Sequence, residues 1–332
     1  MIITKTPFRM SFFGGGTDMY SFFSENGGAI LSTTFDKYCY VIVRHLPPFF
    51  EYKTELSYSK TERVCDTDEI KHPAIRNAMQ MLDMREIRLT YEADLPARSG
   101  LGTSSSFAVG MLNAFYALKG KYADKRKLAD EAIYLERVLC GETGGWQDQI
   151  AAAFGGLNRI NFHADGYDVH PIIISPKRKK QLNDNLMLFF TGFTRFSFDM
   201  HKVNDVTAKN KTAQLLEMMD LVDDAERVLV DSNSDLDEFG YLLDHTWRLK
   251  RQTGSNISTD SIDDLYERGI KAGALGGKLL GAGGGGFLVF YATPDKQPAV
   301  REAMKDLLHV PFEFENGGTR VIHYSPEHYD FT

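Results

Sequence analysis

The chain has 332 residues, 43% hydrophobic and 25% charged, with a formal net charge of −7. This is ordinary globular composition, ample for a core, at a length that points to about two domains. The acidic balance, with "PKRKK" at Pro176–Lys180 the one dense basic run, argues against nucleic acid as a partner. Cys39, Cys65 and Cys140 are scattered and odd in number, which argues against a disulfide framework or a CxxC zinc knuckle. The first residues lack the apolar core of a signal peptide, and no run of roughly eighteen apolar residues occurs. The expectation is a soluble, cytoplasmic protein without a membrane partner.

In chain order, "MIITKTPFRMSFF" reads as a strand closed by Gly14–Gly16, and "GGAILSTTFDKYCYVIVRHL" as a second, rich in β-branched and aromatic residues. "HPAIRNAMQML" has helical spacing and "REIRLTYEADL" alternates as a strand does. "DLPARSGLGTSSSFAVGMLNAFYAL" sets a glycine-rich turn before a helix with Phe107, Met111, Phe115 and Leu118 on one stripe. "DKRKLADEAIYLERVLC" reads as a helix stopped at Gly141, and "GGWQDQIAAAFGG" as a helix bounded by glycines. Strand-like "LNRINF", "YDVHPIII" and "LMLFFTG" follow. The second half is mainly helical, in "DMHKVNDVTAKNKTAQLLEMMDLVDDAERVLV", "LDEFGYLLDHTWRLKRQ" and "SIDDLYERGIKAG". It ends in "GGKLLGAGGGGFLVFYATP", a helix from about Pro298 and two short strands. A boundary near residue 170 divides the chain into 1–170 and 171–332.

Three stretches carry chemistry. In the first, Gly100 and Gly102 precede four consecutive hydroxyl residues, Thr103–Ser106, at a helix start. One hydroxyl suffices for a cap worth roughly 1 kcal/mol. Glycines that let backbone N–H groups turn inward, together with a helix N-terminus, also suit a polyphosphate, and extra hydroxyls suit Mg²⁺. Capping and phosphate binding both stand on the residues alone. The stretch is not a GxxxxGK[ST] loop, and no lysine follows the glycines. In the second, Gly281, Gly283 and Gly286 fit GxGxxG, but "FLVFY" after them reads as a strand where a dinucleotide fingerprint opens a helix. Consecutive glycines there suit close approach to another backbone or a ligand better than a plain hairpin. In the third, Glu136 and Asp148 lie across a glycine break. Asp148 falls in the first turn of its helix, where the dipole favours a carboxylate. It suits either helix stabilisation or the orientation and deprotonation of a hydroxyl nucleophile.

Together these residues resemble the GHMP kinase superfamily, which includes galactokinase, mevalonate kinase and homoserine kinase. "PFRMSFFGGGTD" (Pro7–Asp18) resembles its substrate motif, "LPARSGLGTSSS" its PxxxGLGSS phosphate loop, and "KLLGAGGGGF" (Lys278–Phe287) its third motif. The three occur in the family's order and span nearly the whole chain. The resemblance implies an α+β fold of two domains, with mixed or antiparallel sheets and helices and the active site in the cleft between them. It implies ATP and Mg²⁺ as cofactors.

Residue by residue, it implies Arg9 near the reacting centre, Asp148 as the catalytic aspartate, and Gly15, Gly16, Asp18 and Gly145 against the acceptor. Gly100, Leu101, Gly102, Thr103, Ser104 and Ser105 fall around the ATP phosphates, and Ser104 and Glu136 on the metal. Gly281, Gly283 and Gly284 lie in the loop that steadies phosphate and substrate. Thr103 stands where serine is common but keeps the hydroxyl. "GGGTD" stands where galactokinase has the more polar GEHTD, which crowds a sugar less.

"GGGTD", "GGAILSTTFDKYCYV", "GGWQDQIAAAFGG" and "FFTGFTRFS" further resemble the D-glycero-D-manno-heptose 7-phosphate kinases of GDP-heptose synthesis, and "GLGTSS" and "GGWQDQ" the kinase part of L-fucokinases. Both imply ATP-dependent phosphorylation of an anomeric hydroxyl. The acceptor is then a small-molecule sugar phosphate, an unphosphorylated sugar or, on a non-catalytic sensor, a bound ligand. A 7-phosphate needs basic partners. Arg195, Lys202 and Arg76 are the candidates, each equally suited to a solvated surface.

Overall fold

The computed structural model describes residues 1–97, 99–192, 208–254, 257–281 and 283–326, with backbone alone for 208–210. Its organising element is a pair of long antiparallel strands, β1 (Ile2–Phe13) and β2 (Gly28–His45), joined through α1 (Tyr20–Asn26). Along its other edge β2 meets β6 (Asn158–His163), then β12 (Phe314–Glu315), then β5 (Ile87–Ala93). The hairpin β3 (Thr54–Ser57) and β4 (Thr61–Val64) extends the sheet through a parallel β3–β5 pair. β7 (Gly166–Pro171) pairs β6, and β13 (Arg320–Tyr324) pairs β1. One parallel pair in an otherwise antiparallel nine-stranded sheet makes it mixed.

The second sheet is antiparallel, in the order β11 (Leu308–His309), β8 (Leu186–Phe190), β10 (Phe287–Tyr291), β9 (Gly276–Leu279). Three short strands follow α10 (Gln297–Ala303), where the sequence suggested two. β11 and β12 have two residues each, too few to display a period of two. β12 and β13 return to the first sheet, so a cut near residue 170 separates them from the strands they pair with.

Helices cover both faces. α3 (Thr103–Leu118) lies on β1 and β2 and is buried almost all round, which accounts for its continuous apolar run. It approaches closely, with Thr4 Oγ1 donating to Gly110 O at 2.9 Å. α2 (Pro73–Met81), α4 (Lys125–Ile133) and α5 (Gln147–Phe154) complete that layer. On the other side α7 (Ala208–Val230) and α8 (Asp237–Gln252) join Phe8, Met10, Phe12 and Phe13 in a shared core with the second sheet. The second half of β1 is therefore buried on both faces. α9 (Asp260–Lys271) and α10 cover the outer face of that sheet, and α6 (Pro176–Asp184) takes up the "PKRKK" run.

Candidate active site

The second half of β1 is buried on both faces of its sheet, so a polar side chain there needs internal partners. Arg9 is that residue, 5% exposed. Its Nε and Nη2 both lie 2.7 Å from Asp148 Oδ1, and its Nη1 donates to Gly100 O at 2.6 Å. Its backbone N–H also donates to Leu101 O at 3.1 Å, tying the glycine turn to the strand. The guanidinium fork thus joins three segments: β1, the Gly100–Gly102 turn and the first turn of α5.

Gly102 sits over this pair. A Cβ built on it would lie 3.2 Å from Arg9 Cγ and 3.5 Å from Asp148 Cγ. Its φ of 73° places it in the left-handed region, where glycine is unstrained. Gly102 is also the N-cap of α3, and no side chain caps that helix. Thr103 and Ser104 are not caps. Ser104 Oγ and Ser105 Oγ instead donate to Glu136, at 2.8 and 2.7 Å, and Ser106 Oγ donates to Pro7 O. An uncapped first turn beside an arginine is the local geometry an anion requires.

Glu136 reaches those hydroxyls through a feature the sequence did not reveal. α4 does not continue as an α-helix to Gly141 but passes into a π-helical turn at Tyr134–Leu139, with Cys140 N–H bonded to Leu135 O. The wider turn rotates Glu136 into the protein, where it is 1% exposed and also accepts from Gln149 Nε2. Burial pushes its carboxyl pKa up, while Ser105, Arg137, Ser104 and Gln149 oppose that. Among the described residues no three His, Cys, Asp or Glu side chains cluster to hold a metal by themselves. Exposed Ser104 beside Glu136 is a hard oxygen pair. It fits Mg²⁺, which takes one or two protein ligands and fills its shell with phosphates and water.

Asp18 sits against Gly145, just before α5. It is 3% exposed and accepts from the backbone N–H of Gly16 at 3.0 Å and of Gln147 at 3.4 Å. Burial and the charge of Asp148 raise its pKa, and the backbone N–H groups pull the other way. Gly145 lies against it so closely that a Cβ there would overlap the carboxylate. Arg137 Nη2 holds the Gly145 carbonyl at 3.0 Å.

The third glycine loop joins β9 to β10 and packs on the first. A Cβ on Gly281 would overlap Gly100 Cα, and one on Gly286 would overlap Ser99 O. The close approach is therefore to backbone, and Gly281, Gly283 and Gly284 all have positive φ. Two cations missing from the sequence-based set of site residues lie here. Lys278, 1% exposed, donates to Phe12 O at 2.7 Å, and Lys250 donates to Gly281 O at 2.6 Å. Burial, with the charges of Lys250 and Arg9, puts the Lys278 pKa well below the ordinary lysine value. Lys278 stood inside a recognised motif. Lys250 had no sequence signal, being one of several basic residues at the end of an amphipathic helix.

The structure thus brings Arg9, Asp18, Gly100–Ser105, Glu136, Gly145, Asp148 and Gly281 together where β1, the two glycine turns and the start of α5 meet. Gly15 and Gly16 lie in the loop after β1. Arg76 is elsewhere, bonded to Ile70 O. Arg195 and Lys202 lie outside the described residues.

The GHMP kinase N-terminal domain model matches residues 70–156 and the GHMP kinase C-terminal model residues 224–310. Among curated proteins, the D-glycero-alpha-D-manno-heptose 7-phosphate kinase of Campylobacter jejuni is 28% identical over 92% of this chain and 93% of its own. The bifunctional fucokinase/GDP-fucose pyrophosphorylase of Arabidopsis thaliana is 29% identical over 67% of this chain, which spans only 21% of that protein. The crystal structure of a D-glycero-D-manno-heptose 1-phosphate kinase from Bacteroides thetaiotaomicron superposes with a TM-score of 0.79 at 24% identity, covering 97% of this chain and 99% of that one. No helix among the described residues is long and apolar enough to cross a membrane. With both family models matched in order along the chain, the chain belongs to the GHMP kinases, enzymes that transfer a phosphoryl group from ATP to a hydroxyl of a small molecule.

Proposed function

We propose that this kinase phosphorylates the anomeric hydroxyl of D-glycero-D-manno-heptose 7-phosphate, giving the 1,7-bisphosphate for GDP-heptose synthesis. The observation that carries the reading is the Arg9–Asp148 pair directly beneath Gly102. It sets a carboxylate and a guanidinium within a few ångströms of an uncapped helix N-terminus. The likeness to the Campylobacter kinase along nearly its full length supports the acceptor.

Phosphoryl transfer asks mainly for positioning and charge stabilisation. ATP phosphates lie along Gly100–Ser105 and the α3 N-terminus. Arg9 fixes Asp148 and faces the charge that develops on the transferred group. Asp148 orients the acceptor hydroxyl and takes its proton at Oδ2, Oδ1 being held by Arg9. Asp18, seated against the bare backbone of Gly145, binds the sugar. Ser104 and Glu136 would hold Mg²⁺, which supplies neutralisation of the phosphate charge.

The likeness to a fucokinase segment favours a second reading, a kinase of an unphosphorylated sugar. A non-catalytic sensor is disfavoured by the intact Arg9–Asp148 pair. An ATP-consumption screen over heptose 7-phosphate, fucose, galactose, mannose and mevalonate, with the phosphorylated position read by NMR, tests the proposal. A product from fucose but none from the heptose phosphate rejects it.

A further inference from the structure

The loop after β1 lies against two polar side chains that the reaction as described does not use. Gly15 is partly exposed, and one residue further on, the Gly16 N–H binds Asp18. Where a side chain on Gly15 would begin, two groups converge. A Cβ there would lie 3.8 Å from Lys250 Nζ and 4.0 Å from Ser11 Oγ. Ser11 is 6% exposed, and its hydroxyl has no hydrogen-bond partner. A buried hydroxyl without a partner is costly and is explained by a ligand that supplies one. Lys250 is aimed from the last turn of α8 by its bond to Gly281 O.

We propose that Lys250 Nζ and Ser11 Oγ, opened by the missing side chain of Gly15, form the subsite for the acceptor's own phosphate. This rests on the sugar-phosphate reading and deepens it. The ammonium supplies a charge-assisted contact and the hydroxyl a neutral donor, the combination a phosphate monoester takes. Nearby Lys278 is spent on Phe12 O and does not reach the ligand. A side chain at Gly15 would take up the space beside Lys250 Nζ and Ser11 Oγ, which accounts for a glycine where no positive φ demands one.

Calorimetric titration of D-glycero-D-manno-heptose 7-phosphate, of the same heptose without phosphate, and of ATP tests this on wild type, Lys250→Met, Lys250→Arg and Ser11→Ala. Lys250→Met is expected to weaken the 7-phosphate by about tenfold to a hundredfold, the range of a charged hydrogen bond. The plain heptose and ATP should stay within about twofold. Lys250→Arg keeps most of the affinity, and Ser11→Ala loses about fivefold for the phosphorylated sugar alone. Ser11→Ala breaks no existing bond, so it reports even if Lys250→Met does not fold. Equal losses for both sugars, or no loss, overturn the subsite. Failure of the wild type to bind the 7-phosphate overturns the acceptor assignment and the subsite with it. Wild-type binding with unaffected variants overturns the subsite alone.

Discussion

Gly145→Ala perturbs the acceptor side of the cleft through one methyl group. Gly145 is not in the left-handed region, so alanine is compatible with its backbone, and the consequence comes from contact alone. The new Cβ overlaps the Asp18 carboxylate, which must move. Asp18 then loses its bond from Gly16 N–H at 3.0 Å. The bond from Gln147 N–H, at 3.4 Å, is already beyond the usual range of roughly 2.7–3.2 Å and counts for little. One hydrogen bond to a charged group is worth about 1.5–3 kcal/mol, or about tenfold to a hundredfold. The cost of about 1 Å of misplacement at a reacting centre is similar, roughly a hundredfold. The acceptor KM should therefore rise by about ten- to a hundredfold, with the KM for ATP within about twofold. Fold stability should fall by no more than about 2.6 kcal/mol, because Gly→Ala at a compatible position recovers about 0.4–1 kcal/mol through the unfolded chain. Steady-state kinetics with each substrate varied, alongside calorimetric melting, measures both. A folded Gly145→Ala enzyme with unchanged acceptor KM refutes the placement of Asp18 on the acceptor.

Asp148→Asn should keep ATP binding, because Arg9 retains Gly100 O, and lower turnover by at least about a hundredfold. Near-normal single-turnover rates would remove Asp148 from proton transfer. Glu136→Gln and Ser104→Ala should each raise the Mg²⁺ concentration for half-maximal rate by about tenfold, the scale of one charged contact, read by metal titration of the rate. Unchanged metal dependence in both would place the ion elsewhere. Asp18 has a folded pKa raised above 3.8, so its contribution to stability is fully present below about that pH and is lost as pH rises through the raised value. Asp18→Asn, which cannot ionise, should gain in melting temperature on wild type between pH 4 and pH 7. Scanning calorimetry at both pH values checks this, and a constant or shrinking difference contradicts it.

The sequence by itself determined the elements whose signals are local. β1, β2, β5 and α3 carry their period or composition within the segment, and the glycines at 100, 102 and 281 mark backbone that must turn or approach closely. It also supplied the chemical groups, since an arginine in a buried strand and an aspartate in a first helical turn stand out one residue at a time. Tertiary structure alone decided how they meet. Arg9 and Asp148 are 139 residues apart, and nothing local in either segment encodes their distance. Glu136 faces Ser104 because of a π-helical turn whose apolar spacing passes for an α-helix. The two-residue strands β11 and β12 exist only because a neighbouring strand offers hydrogen bonds. Lys250 and Ser11 look like surface charge and strand filler until the loops around Gly15 and Gly281 bring both close to where a Gly15 side chain would begin. Periodicity reports which face of a segment is buried. Which segments then share that burial is settled by steric fit and hydrogen-bond satisfaction across the whole chain.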